Sequence, residues 1–219
     1  MIWIISIEYL LINYSNLCFI MKWYIIRHAD KEEGDFYNPE LKHRDPPLSK
    51  KGRLNAQKLF SYFLNKSINQ IYVSEYIRTA QTIELVAEKK DISPIVDNRL
   101  NEIDNGLLEG MSEQMLQQCY PDVWDAFQER DRDFRFPGGE SGEEARKRIE
   151  SFFKDKQASN EDLILVSHDG LIRVLMCSIL EIPVYRRWEF QVDTCGIMEI
   201  EYQTAFKKWN LIRFNYVCA

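Results

Sequence analysis

Five side chains of three types stand out because each follows a run of strand-forming residues: Arg27 and His28, Arg78, Glu102 and His168. An arginine fork matches the oxygens of a tetrahedral oxyanion in pairs and keeps its charge at any physiological pH. A neutral imidazole beside such a clamp can attack phosphorus and hold the phosphoryl group, while a second imidazole donates to the equatorial oxygens. A carboxyl group can protonate the departing oxygen and afterwards activate water. Brought together, the five would move a phosphoryl group from an ester to water.

The elements that must position them are legible as pattern. Lys22 to Ile26 is apolar, aromatic and β-branched, and it stops on Arg27-His28. Ile71-Tyr72-Val73 leads through Ser74 into a helical pattern that carries Arg78, and Leu163 to Val166 leads into Ser167-His168-Asp169-Gly170 and another helix. Pro94 to Leu100 reads as a fourth strand, with Glu102 just beyond its end. Ligands of open parallel sheets lie outside the carboxyl ends of the strands, which is where these five residues fall. The alternation of strand and helix predicts right-handed crossovers and an α/β fold with a mostly parallel sheet.

Ser49 caps a helix with Leu59, Phe60, Phe63 and Leu64 on its apolar face, and the next helix sets Ile77, Ala80, Ile83 and Ala87 on one side. Ser141-Gly142-Glu143-Glu144 matches a capping box ahead of Ala145, Ile149, Phe152 and Phe153, and Leu171 to Leu180 closes before Pro183. Gly196 to Tyr202 and Trp209 to Phe214 read as a hairpin at the sheet edge. The rhythm lapses over about 101–139, which predicts a cap inserted over the mouth of the site within one domain spanning 21–219. The long polar connection from Asp30 to Leu48 is of the kind that usually serves function.

The chain has 219 residues, enough for one α/β domain, with 45% hydrophobic and 28% charged residues, ordinary globular values. Its net charge of −6 argues against nucleic acid or an anionic lipid surface as a partner. Five cysteines without a C-x-x-C pair fit a reducing cytoplasm better than a disulfide framework or a zinc site. Residues 1–20 are apolar but interrupted by Glu8, Asn13 and Asn16, and no basic residue precedes the apolar run. The expectation is that translation starts at Met21, residues 1–20 being a mis-assigned start or a loosely attached extension, the alternative being a membrane anchor.

The ordered blocks Arg27-His28-Ala29, Pro47-Leu48-Ser49 with Gly52, Ser74-Glu75 with Arg78-Thr79-Ala80 and Thr82, Leu100-Asn101-Glu102 with Gly106 and Glu109-Gly110, Pro137-Gly138-Gly139-Glu140-Ser141, and Ser167-His168-Asp169-Gly170 with Arg173 resemble the histidine phosphatase superfamily, the phosphoglycerate-mutase-like fold. The match runs from Lys22 to about Tyr202. It implies a three-layer α/β/α sandwich, His28 as the phosphorylated nucleophile, Arg27, Arg78 and His168 around the phosphate, Glu102 as proton donor, and neither metal nor cofactor. The subgroup it most resembles is that of the small phosphatases, such as α-ribazole phosphatase and broad-specificity sugar-phosphate phosphatases. Where mutases carry a tyrosine-containing block after the glutamate, this chain has Ile103-Asp104-Asn105-Gly106, which favours transfer to water.

The chain departs from the pattern at Ala29, for the usual glycine, at Lys31, for a hydroxyl residue, at Asp169, and at Asp193-Thr194-Cys195-Gly196. Lys31 thereby becomes a further candidate phosphate-binding group. Arg173 is expected to be an ion-pair partner, His43 and Arg44 a solvated loop face or a rim, Cys195 inert packing, and the Arg130 to Arg135 run a self-neutralising surface. The expected function is a cytoplasmic, metal-independent phosphomonoesterase acting on a small phosphorylated metabolite, as a monomer or homodimer. The alternatives are a cofactor-dependent phosphoglycerate mutase, a phosphohistidine-protein phosphatase and a non-catalytic phosphate-binding module.

Overall fold

The first strand, β1 (Ile20–Arg27), shows why the sheet has two faces: Met21, Trp23 and Ile25 join one buried cluster, whereas Tyr24 and Ile26 join another. That is the two-residue side-chain period of a strand buried on both sides. The structure, a computed structural model, describes residues 20–41, 43–204 and 206–219. The reading of an N-terminal extension therefore lies outside the described residues, except that Ile20 already belongs to β1.

The other strands of the main sheet are β4 (Gln70–Val73), β5 (Ile95–Val96), β6 (Leu163–Ser167), β7 (Ile197–Gln203) and β8 (Lys208–Tyr216). They lie in the order β5-β4-β6-β1-β7-β8. The first four are parallel, and β7 and β8 form the antiparallel hairpin expected at the edge. Helices α1 (Lys50–Phe63) and α2 (Ile77–Lys90) cover Tyr24, Ile26, Val73 and Val166 on one face. On the other, α5 (Gly142–Lys156) and α6 (Asp169–Ile179) cover Trp23, Ile25, Tyr72 and Leu165. The result is the α/β/α sandwich expected from sequence.

The capping predictions are realised in atoms. The Ser49 hydroxyl accepts from the Gly52 amide at 2.9 Å, and Ser141 and Glu144 form both halves of the capping box. The long connection after β1 contains a two-residue-per-strand hairpin, β2 (Tyr37–Asn38) with β3 (His43–Arg44). The segment expected to form the cap holds a 3₁₀ turn over Gly106–Gly110, then α3 (Glu113–Cys119) and α4 (Pro121–Glu129). Its return is pinned by Asp133, which accepts from the amides of Gly142 and Glu143 and from Arg187, itself 1% exposed.

Three sequence expectations need correction. The fourth strand is only Ile95–Val96, because the Asp97 side chain accepts from the Arg99 amide and turns the chain into a 3₁₀ helix over Asn98–Leu100. The inner face of α2 is Arg78, Thr79, Thr82, Ile83, Val86 and Ala87, while Ile77 is 45% exposed and Ala80 is exposed as well. Ile77 stands at the helix start, where its amide donates to Asp45, so the buried face is led by Arg78 instead. Leu64 is exposed because α1 ends at Phe63.

Candidate active site

The register of the central strands decides which polar groups meet. Arg27 is paired with Ser167 across β1 and β6, and the His28 amide donates to the Ser167 carbonyl at 2.9 Å. His28 and His168 therefore leave the sheet side by side, their rings 5.1 Å apart and inclined by 63°. Val73 is level with Val166, so Ser74 follows β4 at the same height as Ser167 follows Val166. Three adjacent strands thus deliver one floor.

Both imidazoles have their tautomers set by neighbours that can play only one part. Nδ1 of His28 lies 2.7 Å from the Ala29 carbonyl oxygen. A carbonyl only accepts, so Nδ1 carries the proton and Nε2 keeps its lone pair. Burial, with the charges of Arg78, Arg27 and Lys31, pushes the His28 pKa down to about 3. Nδ1 of His168 faces a guanidinium nitrogen of Arg78 at 3.1 Å and must accept from it, while its Nε2–H donates to the Ser74 hydroxyl at 2.8 Å. His168 is fully buried, and burial together with Arg78 and His28 keeps it neutral. As a neutral ring it thus orients Arg78; donation to a phosphoryl oxygen is a role that protonation or a change of tautomer would add.

Arg78 is 5% exposed, and burial lowers its pKa from the usual arginine value. Its guanidinium stands 4.3 Å over the Tyr76 ring, with Asp45 at 3.6 Å from Nη1. Among the described residues no hydrogen-bond acceptor reaches its Nε or Nη1, nor Nε of Arg27. Arg27 is held by one bond from Nη1 to the Val192 carbonyl, and Asp169 is 4.0 Å away. Asp169 itself is engaged twice by Arg173, the ion pair expected from sequence. Buried N–H groups of a charged fork normally find acceptors, so these nitrogens have the capacity to bind an anion.

Glu102 reaches the site from beyond the 3₁₀ turn. The Ser167 hydroxyl donates to the Leu100 carbonyl at 2.8 Å, which ties that turn to the end of β6. The Glu102 carboxyl then sits against the first turn of α6, accepting from the amides of Gly170 at 3.3 Å and Leu171 at 3.1 Å, and from Ile103 at 2.9 Å. Gly170 is required by this approach, since a Cβ there would stand 2.7 Å from Oε1. Desolvation raises the Glu102 pKa despite these three amides. A carboxyl that retains its proton above the usual range suits the part of an acid.

One support carried no legible signal. Arg148 of α5 binds both oxygens of Glu140 and donates to the carbonyls of Arg99, Asn101 and Glu102, so it fixes the loop that carries Glu102. Thr82 accepts from the Ala29 amide at 2.9 Å and fixes the turn after His28. Lys31 is exposed at the rim, its pKa lowered by partial desolvation and then by Arg78. His43 is a rim residue tied to the cap, with Nδ1 2.8 Å from Glu109, and the Arg44 amide donates to the same carboxylate. A cavity of about 330 Å³ lies between this rim and Glu102, with Tyr76 in its wall. Cys195 is buried and its thiol pKa pushed up to about 12, as fits packing. Among the described residues no group of three or more His, Cys, Asp or Glu is placed to hold a metal ion, and no helix is long and apolar enough to cross a membrane.

The family model described as "Histidine phosphatase superfamily (branch 1)" matches residues 23–216. "Phosphoserine phosphatase 1" of Hydrogenobacter thermophilus is 27% identical over 204 residues, covering 91% of this chain and 94% of that protein. "Probable phosphoglycerate mutase GpmB" of an Enterobacter species is 28% identical over 191 residues, 85% of this chain and 87% of that protein. The fold is similar to that of α-ribazole phosphatase from Shigella flexneri, with a TM-score of 0.74 at 23% identity over 90% of this chain and 96% of that one. It is similar also to a mycobacterial glucosyl-3-phosphoglycerate phosphatase in complex with inorganic phosphate, with a TM-score of 0.75 at 21% identity over 90% and 98% of the two chains.

Proposed function

The chain belongs to the histidine phosphatase superfamily and is a phosphomonoesterase of that type, and from that premise we propose a metal-independent hydrolysis of small phosphorylated metabolites in two steps through His28. In the first, the Nε2 lone pair forms a bond to phosphorus as the ester P–O bond breaks, and the departing oxygen takes the proton of Glu102. In the second, the Glu102 carboxylate accepts a proton from water, whose oxygen attacks phosphorus while the N–P bond returns its electrons to Nε2. Arg27 and Arg78 hold the phosphoryl oxygens throughout, Lys31 adds charge at the rim, and His168 keeps Arg78 in place.

The observation that supports this reading is the pairing of a buried imidazole, its Nδ1 engaged by a carbonyl, with guanidinium nitrogens that lack acceptors among the described residues. Phosphatase names among the relatives support water as the acceptor; a relative named as a mutase keeps the assay for phosphoglycerate interconversion necessary.

The test is to mix the enzyme with p-nitrophenyl phosphate, quench in base and look for an acid-labile phosphohistidine. Parent enzyme should show it at residue 28 and turn over in excess chelator, whereas His28→Ala should form none and lose all measurable turnover. Parent-rate hydrolysis by His28→Ala, or loss of activity on chelation, would overturn the mechanism. Bisphosphoglycerate-dependent interconversion faster than hydrolysis would make the mutase reading the better one.

A further inference from the structure

The cavity beside Glu102 is where the departing alcohol would sit, because its wall shares Glu102 and Tyr76 with the reacting centre. Tyr76 in turn supports Arg78, which is 5% exposed and has two nitrogens without hydrogen-bond acceptors among the described residues, the place where the phosphoryl group would be held. The two ends of this cleft differ in sign. Arg27 and Arg78 flank His28, with Lys31 at the rim, whereas the wall of the cavity carries Glu40, Glu75, Asp104 and Glu140. Glu140 is neutralised by Arg148 at 2.8 Å. Among the described residues no lysine or arginine pairs with Glu75 or Asp104: Glu75 accepts from the Asn101 side chain at 2.6 Å, and Asp104 from the Gly106 amide at 2.7 Å with His43 at 3.7 Å.

Resting on the phosphatase reading, we propose that this enzyme's preferred substrate class is phosphomonoesters of amino alcohols, with the ammonium group directed at Glu75 and Asp104. A ligand with a dianionic phosphate at one end and a cation at the other matches both ends of the cleft. An ester with a carboxylate or second phosphate there meets like charge, which discriminates as effectively as attraction does. Both carboxylates are hydrogen-bonded in fixed positions, so the field is set before the ligand arrives. They remain open to solvent, so the preference is of moderate size and weakens with salt.

The experiment compares kcat/KM for three esters of similar size, O-phosphoethanolamine, propyl phosphate and 2-phosphoglycolate, with p-nitrophenyl phosphate as reference. At low salt the amine ester should lead, the neutral one follow and the carboxylate ester trail, with on the order of tenfold or more between the extremes; 0.5 M salt should compress the series. Glu75→Gln and Asp104→Asn should each lower the amine-to-neutral ratio severalfold, a ratio read within one variant and so independent of general losses in activity. If 2-phosphoglycolate equals or exceeds phosphoethanolamine, or both variants keep the parental ratio, the assignment is overturned while hydrolysis of p-nitrophenyl phosphate leaves the phosphatase reading intact. If p-nitrophenyl phosphate and all three esters resist hydrolysis, that reading falls and takes this proposal with it.

Discussion

Replacing Arg78 with methionine should separate stability from activity. In the folded protein the guanidinium keeps Nε and Nη1 without acceptors, and a buried donor left unpaired costs about 1–3 kcal/mol, so removing both relieves roughly 2–6 kcal/mol. Against this stand the bond to His168, about 1.5–3 kcal/mol for a charged donor, and the stacking on Tyr76, about 1 kcal/mol. The third loss is the counter-charge for Asp45, whose side chain is 9% exposed but still accepts from the Ile77 amide. The first two losses, about 2.5–4 kcal/mol together, lie inside the range relieved, and Asp45 keeps its amide partner. We expect Arg78→Met to melt within about 5 °C of the parent, since about 1 kcal/mol corresponds to roughly 2–4 °C in a domain of this size. Its kcat/KM should nevertheless fall on the order of a thousandfold, about 4 kcal/mol, as when one preorganised group is withdrawn from a developing charge. Differential scanning fluorimetry with and without inorganic phosphate, beside steady-state hydrolysis of p-nitrophenyl phosphate, gives both numbers, and phosphate should raise the parental midpoint but not the variant's. A variant that unfolds more than 10 °C early yet keeps a tenth of parental activity would show that the guanidinium is structural and refute the reasoning.

Three further outcomes follow from the same geometry. Activity requires neutral His28 and protonated Glu102, so the acid limb of kcat/KM should lie near His28's value of about 3 and the alkaline limb should fall where Glu102, raised above the ordinary carboxylate, loses its proton; a pH profile of Glu102→Gln should lack that alkaline limb. Gly170→Ala should push the Glu102 carboxyl off the start of α6 and slow alkyl phosphates on the order of a hundredfold, with much less effect on p-nitrophenyl phosphate, whose leaving group needs no acid; equal losses on both esters would exclude the role. Stability should decline as pH falls from about 6.5 toward 3, because the unfolded chain binds protons that buried His28 and His168 refuse; urea midpoints should follow that direction, and His28→Gln should flatten the slope.

What was legible in the sequence were features whose cause is local. The apolar runs ending at Ile26 and Val166 had to be strands, and their polar continuations had to emerge at the carboxyl ends of those strands. The capping serines were legible because the hydroxyl and the amide it serves lie three residues apart. The extent of β5 was not, because a single Asp97 side chain, competing for the Arg99 amide, decides where the strand ends. Nor was the support given by Arg148, whose partners lie at residues 99 to 102 and 140. The Arg78 side of α2 was missed because apolar periodicity marks greasy faces, and this face is buried for charge recognition.

Glu102 supplies the acceptor that α6 lacks at its own start, where His168 offers no side-chain cap. A helix's positive end holds a carboxylate more firmly than a carboxylic acid. Each time the proposed acid surrenders its proton, its grip on the backbone of Gly170 and Leu171 should therefore tighten, and each time it recovers one the grip should slacken. The segment that joins β6 to α6 would then feel every turnover as a small alternation in tension, making proton transfer measurable as amide hydrogen exchange at two backbone positions.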